Sequence, residues 1–199
     1  MDLHGFLRSR RSVRRFEKDQ IPPALVQRIL TTATYAPSAH NRQPWRFAVV
    51  STHSEKSVLA DAMAEEYRRD LLADGMAAEA VDNLVEKSRF RINSAPLVVA
   101  LCMDMTDMDH YTDSRRTGAE RVMALQSTAN AGATLLLAAH AEGLGGVWSC
   151  SPLFAPRAVI TALQLPATWE PQALLLIGRP AEAPAERPRR PIKEVAVFR

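Results

Sequence analysis

GAERVMALQSTANAGATLLLAAHA, residues 118–141, reads as one long helix. Its C-terminal half is nearly all small or apolar, which marks the central core helix of a compact domain. Gly132 lies inside it, where a glycine costs roughly 1 kcal/mol relative to alanine. Such a glycine makes sense if another backbone packs closely against it. The run Gly143-Leu144-Gly145-Gly146 ends the helix with residues that tolerate positive φ. Residues 147–149 follow as a short strand or turn.

The segments around this helix mix both kinds of structure. LVVALCM, residues 97–103, is a continuous apolar strand expected to be buried on both faces. RFAVVS, residues 46–51, and ALLLIG, residues 173–178, read as further strands. Residues 2–11 read as a short helix behind an Asp2 cap. Ile21-Pro22-Pro23 breaks the chain and lets a helix begin at once, with Leu25, Val26, Ile29, Leu30 and Ala33 on one face. That helix stops at Ala36-Pro37, since a residue before proline resists the helical region. Residues 54–68 and 77–92 read as charged, moderately amphipathic helices divided at Asp74-Gly75, and 156–164 as another short helix. The tail, 179–199, is rich in proline and arginine and too poor in apolar residues to pack alone. Its VAVF at 195–198 suits an edge strand, on a partner chain if one is present. Without strict βαβ alternation the class is α+β.

An apolar content of 47% and a charged content of 24% suit one globular domain over residues 1–199. The longest uninterrupted apolar run, Leu97 to Met103, is seven residues, against about 20 for a membrane span. No membrane segment is expected. The basic N-terminus has no apolar core behind it and does not read as a signal peptide. Cys102 and Cys150 form neither a disulfide framework nor a metal pattern, so a reducing, cytoplasmic setting is expected. The net charge is +3 and the isoelectric point about 9.1, but the charge is uneven. Arg8, Arg10, Arg11, Arg14, Arg15 and Lys18 crowd one end; Arg187, Arg189, Arg190 and Lys193 crowd the other. Two basic termini around a neutral body predict one local anion site if the fold brings them together. Nucleic acid is a poor fit, because neither basic segment interleaves aromatics (Phe6 and Phe16 only flank the first) and no zinc or helix-turn-helix pattern is present.

Four segments could carry chemistry. Arg10-Arg11-Ser12-Val13-Arg14 offers guanidiniums and a hydroxyl, suited to a phosphate and a ribityl chain; alone, it also reads as a solvated basic face. It lacks the glycines of a Rossmann or P-loop site. Pro37-Ser38-Ala39-His40-Asn41-Arg42-Gln43-Pro44-Trp45-Arg46-Phe47 is a proline-pinned loop whose amides and hydroxyls can read the edge of a heteroaromatic ring, or be only a loop. Gly143 to Ser149 lets backbone approach a ligand closely, and is also a helix cap and turn. Arg187-Pro188-Arg189-Arg190-Pro191 adds fixed charge, or is a solvated tail.

In this order and spacing, R-R-S-V-R-x-F, P-S-x-x-N-x-Q-P-W-x-F, G-L-G-x-x-W and the late G-R-P…R-P-R-R-P resemble the nitroreductase-like FMN-binding family over nearly the whole chain. Residues 60–103 also look like the nitroreductase-like C-terminal domain of the two-domain enzymes of coenzyme F420 biosynthesis. The resemblance implies a central, mostly antiparallel sheet flanked by helices, and a homodimer with two FMN sites at the subunit interface. Arg10, Arg11, Ser12 and Arg14 would hold the FMN phosphate and ribityl chain. Pro37, Ser38, Ala39, Asn41 and Gln43 would line the isoalloxazine ring from the other subunit. Trp148 and Ser149 would give backbone contacts to the flavin, in a turn where some members carry a glutamate-glycine pair. Arg187 and Arg189 would close the phosphate site.

The reaction implied is a ping-pong cycle with NADH or NADPH as hydride donor to flavin N5 and a small oxidised acceptor, such as a nitroaromatic or quinone. The alternatives are a flavin or deazaflavin carrier, or a reductase of an F420-type precursor. No nucleophile–base pair or metal set is found, as expected if the redox chemistry belongs to the flavin. His40 is the one histidine in a motif loop, and Cys150 beside the turn is expected to be a buried, inert thiol. The substrate pocket falls to residues 60–115.

Overall fold

The computed structural model describes residues 2–199. The chain opens with α1 (Leu3–Ser9), where Asp2 Oδ1 accepts the Gly5 N–H at 2.6 Å, the cap that the sequence predicts. Then come α2 (Pro23–Ala33), β1 (Trp45–Val50), α3 (His53–Ala73), α4 (Ala78–Asn93), β2 (Leu97–Asp104), α5 (Ser114–Ala141), β3 (Gly145–Ser149), α6 (Pro156–Ala162), β4 (Trp169–Gly178) and α7 (Ile192–Val195).

The four strands form one antiparallel sheet in the order β1-β2-β4-β3. All eight residues of β2 are buried. Because side chains alternate across a strand, Leu97, Val99 and Leu101 face a core built with α2 and α5, while Val98 and Ala100 face one built with α3 and α6. The helix α4 packs outside α3 through Ala64, Val81 and Val85. The two helices part at Gly75, whose φ of +79° is a left-handed value that glycine adopts without strain.

Three details differ from the sequence reading. The core helix begins at Ser114, earlier than expected, because Asp113 Oδ1 accepts the Arg116 N–H at 2.9 Å. By length and mean hydropathy α5 could cross a membrane, but half of that stretch is buried within the protein, and it forms the core between the sheet and α2. What lies against Gly132 is not backbone but the Trp148 ring and the Leu101 side chain; a Cβ there would sit 2.6 Å from Leu101 Cδ2 and closer still to the ring. The VAVF segment does not pair as a strand among the described residues. Val195 ends the short α7, and Val197 and Phe198 are more than 80% exposed.

The N-terminal segment after α1 lies along the free edge of β3. Ser12 bridges Gly146 in parallel, and the Val13 N–H donates to the Gly146 carbonyl at 3.1 Å. Farther on, Phe16 bridges Pro180, and Arg15 Nη1 lies 3.2 Å from Glu182 Oε2. The two ends of the chain therefore meet at residues 12–16 and 179–182.

Candidate functional site

The strand-like run of residues 12–16 fixes where the first basic cluster points. Arg11 folds back over the end of α1, where Nη1 donates to the Arg8 carbonyl and, at 3.0 Å, to the Arg10 carbonyl. This satisfies carbonyls that the helix end leaves open. Arg11 Nε is buried and has no hydrogen-bond partner among the described residues. A buried guanidinium nitrogen left without an acceptor costs free energy, and an anion seated there would remove that cost. Arg8, Arg10, Arg11 and Arg14 lie within 4.0 Å of no carboxylate among the described residues, whereas Arg28, Arg42, Arg46, Arg68, Arg89 and Arg121 each have one. The first cluster is thus uncompensated, as are Arg91, Arg115 and Arg157 elsewhere; what distinguishes it is four such arginines within seven residues and the buried Arg11 Nε.

Arg14 leads from this cluster into a cavity of about 880 Å³. Its floor is the α3/α6 face of the sheet, with Val147, Leu174 and Leu176. One wall comes from α3 and α4, including Tyr67, Asp70, Lys87 and Arg91; the other is the turn Ser149-Cys150-Ser151 with Phe154. The α3–α4 part agrees with the sequence expectation for a pocket from residues 60–115, although α3 and α4 alone supply it from that range.

The turn after β3 departs from expectation at one residue. Cys150 is exposed, not buried, because the strand ends at Ser149 and a 3-10 turn (Ser151–Phe154) carries the chain outward. The Trp148 indole Nε1 donates to Cys150 Sγ at 3.2 Å. The Ser149 and Ser151 hydroxyls are 3.0 Å apart. The other thiol, Cys102, is buried in β2, and burial pushes its pKa up to about 12.

The proline-pinned loop lies on α5. The Ala39 N–H donates to Ser127 Oγ at 3.1 Å, and Asn130 Nδ2 to the Pro37 carbonyl at 3.3 Å. Ser38 Oγ accepts the Gln43 N–H at 3.2 Å, and Gln43 Nε2 donates to Asn41 Oδ1 at 3.2 Å. His40, Asn41 and Gln43 all have φ near +50°. Non-glycine residues held there cost about 1 kcal/mol or more each and concentrate at functional sites. Within one chain this loop contributes nothing to the cavity, and no hydrogen bond or ion pair joins it to Arg10–Arg14.

Of the residues expected from sequence, Ser12 lies along β3, Arg14 lines the cavity with Trp148 and Ser149, and Arg10 and Arg11 sit just before them at the end of α1. Pro37, Ser38, Ala39, Asn41 and Gln43 form a second group on α5. Arg187 and Arg189 stand apart and exposed; Arg189 Nη1 donates to the Arg187 and Pro188 carbonyls at 3.0 and 3.2 Å. The sequence reading missed Arg11 Nε as the orphaned atom and the Asp70, Lys87 and Arg91 wall. Spacing gives no sign of the latter, which on paper are ordinary surface charges of two helices.

The arginine set fits the phosphate of FMN, since four arginines close in sequence have no carboxylate partner among the described residues and one of them carries a buried donor without an acceptor. The cavity beside it has room for a flavin ring and a second small molecule.

Known proteins resemble this chain over most of its length. Rhodospirillum rubrum 5,6-dimethylbenzimidazole synthase is 34% identical over 188 residues, which is 90% of this chain and 82% of that protein. A Thermus thermophilus NADH dehydrogenase is 30% identical over 214 residues, 96% of this chain and 92% of that one. A Desulfovibrio desulfuricans protein solved in complex with FMN shares the fold, with a TM-score of 0.75 at 24% identity over 100% of this chain and 97% of that one. The model of the Nitroreductase family matches residues 7–179, from within α1 to just past β4, and the chain belongs to that family.

Proposed function

We propose that the chain is an FMN-dependent oxidoreductase, a cytoplasmic homodimer that takes hydride from NADH or NADPH and passes electrons to a small oxidised acceptor such as a nitroaromatic or quinone. One observation carries this reading: Arg11 Nε is buried without an acceptor, in a set of four arginines without carboxylate partners among the described residues, of which Arg14 lines an 880 Å³ cavity. The FMN complex among its fold neighbours and the NADH dehydrogenase among its relatives support it.

Bound FMN supplies the hydride chemistry. The chain's own residues bind and shelter. Arg10, Arg11 and Ser12 take the phosphate, and Arg14 reaches into the cavity. Val147, Leu174 and Leu176 keep water from its floor. The loop holding Ser38, Asn41 and Gln43 serves the site of a second copy, which accounts for its strained backbone lying on α5 away from its own arginines. Arg187 and Arg189, on an exposed tail with Ile192, Val197 and Phe198, close the phosphate site once two copies meet. The outer edge of β1, which has no strand partner among the described residues, suits the tail of the second copy.

The test is direct. The purified protein is yellow or takes up FMN, bleaches on anaerobic addition of NADH or NADPH, and regains colour with a quinone. A protein that retains no FMN contradicts the proposal. A second reading follows from the R. rubrum relative: synthesis of 5,6-dimethylbenzimidazole. Release of that compound from the flavin-loaded protein, detected by mass, would favour it over general reduction.

A further inference from the structure

The helix α1 carries the arginine cluster but buries none of its own residues. Two contacts with one residue of the core helix hold it. The Phe6 ring stacks on the His140 ring with centroids 5.0 Å apart and planes 27° from parallel. Ser9 Oγ lies 2.8 Å from His140 Nε2. Ser9 Oγ also lies 2.8 Å from the Phe6 carbonyl, which can only accept, so the hydroxyl proton goes there. His140 Nε2 is therefore the donor to Ser9, a role open to both the neutral and the protonated ring. The next residue after Ser9 is Arg10.

We propose that His140 is a positioning residue of the anion site: it fixes α1 so that Arg10 and Arg11 are presented together, and it takes up a proton when an anion binds to them. This rests on the reading of Arg10–Arg14 as a phosphate site. The groups around the ring define the coupling. From the N-terminal segment come Phe6, Ser9 and the cationic Arg10. On its own helix end is Glu142, whose charge Arg28 of α2 already compensates through two hydrogen bonds of 2.7 Å. Burial first, and then the Arg10 charge, hold the imidazolium below its ordinary pKa. The C-terminal end of α5 favours a positive ring. An anion that neutralises Arg10 relieves its repulsion, so the ring's pKa rises and a proton is bound. By reciprocity, anion affinity then rises as pH falls through the titration of His140.

Free phosphate and FMN titrate in the same range, so the probe is sulfate, whose charge is constant. Sulfate affinity is read from thermal upshift at fixed ionic strength, at about pH 5.5 and about pH 8, for the full chain and for His140→Gln and His140→Phe. FMN binding is measured alongside by flavin fluorescence. The wild type should bind sulfate about fivefold more tightly at the lower pH. His140→Gln keeps a donor to Ser9 but loses the stack and the titrating ring, and should bind sulfate no more tightly at pH 5.5 than at pH 8. His140→Phe keeps the stack but loses the Ser9 bond, and should bind more weakly at both. A flat wild-type profile, or a His140→Gln profile as steep as the wild type, overturns the proposal. If FMN binds and the sulfate profile is flat, the role of His140 fails and the flavin reading stands. If sulfate shows the His140-dependent gain and FMN does not bind, the reverse holds. No sulfate upshift at any pH together with no FMN binding overturns both.

Discussion

Val13 occupies the space that a side chain at Gly145 would need: a Cβ there would lie 2.6 Å from Val13 Cγ2 and 2.7 Å from Val13 Cβ. The glycine lets the N-terminal segment close onto the edge of β3, with the Val13 N–H on the Gly146 carbonyl. That contact brings Arg14 to the cavity wall and holds Ser12 along β3. Gly145→Ala should push the segment off the strand, lower stability by about 1–3 kcal/mol and weaken flavin binding. Gly118→Ala is the control. That exposed helix position meets nothing within 4 Å, so the exchange should stabilise by up to about 1 kcal/mol and leave the flavin untouched. Denaturant unfolding and flavin titration check both.

Removing charge from the cluster should cost binding and not folding. Arg11→Ala should lose about 1.5–3 kcal/mol of flavin affinity, one to two decades, with a thermal midpoint close to that of the wild type without flavin. Arg189 makes hydrogen bonds only within the tail of a single chain. Arg189→Ala should therefore weaken flavin retention only if the tail docks in a dimer. Unchanged flavin content in both variants would refute the phosphate assignment.

The two thiols should separate cleanly. Cys150 is exposed and lines the cavity, whereas burial raises the pKa of Cys102 to about 12. A maleimide reagent should label Cys150 in the native protein and Cys102 only after unfolding. Bound FMN should slow the labelling of Cys150. Equal rates with and without FMN would place the flavin elsewhere.

Acid should act through Asp104. Burial alone would raise its pKa, but hydrogen bonds from the Thr106 hydroxyl and N–H, the Arg46 charge and the Thr168 hydroxyl outweigh that and hold it below the ordinary carboxylate value. The folded state is thus favoured when Asp104 is ionised. The contribution is full above the unfolded-state pKa, near 4, and is lost as pH falls through the lower folded-state value. Asp104→Asn should be less stable at neutral pH by about 1–3 kcal/mol and lose less stability on acidification. A variant whose acid unfolding midpoint and slope match the wild type would contradict this.

Much of the fold is legible in the residues because burial leaves a periodic mark. The run at 97–103 announces a strand buried on both sides, and Asp2, Pro23 and Gly75 punctuate helices by local chemistry alone. The last strand, β4, is marked less clearly in the sequence. It begins at Trp169 rather than 173, since Pro171 sits opposite Cys102 where the register shifts, and a proline tolerated at a bulge hides a strand start. VAVF carries a strand-like composition but pairs with no strand of its own chain among the described residues. The burial of Arg11 Nε and the neighbour of Gly132 are tertiary facts with no periodicity, so no spacing could show them. The site motifs were readable as a group only through their resemblance to a family, because each alone is also a turn, a loop or a solvated tail.

The central claim is that guanidiniums of residues 10–14 hold a phosphate beside the cavity. Dissociation constants for FMN and for riboflavin, measured on the wild type and on Arg11→Ala, test it most directly. The wild type should hold FMN about tenfold to a hundredfold more tightly than riboflavin, and Arg11→Ala should close most of that gap while binding riboflavin unchanged. Equal affinity of the wild type for the two flavins would contradict the account.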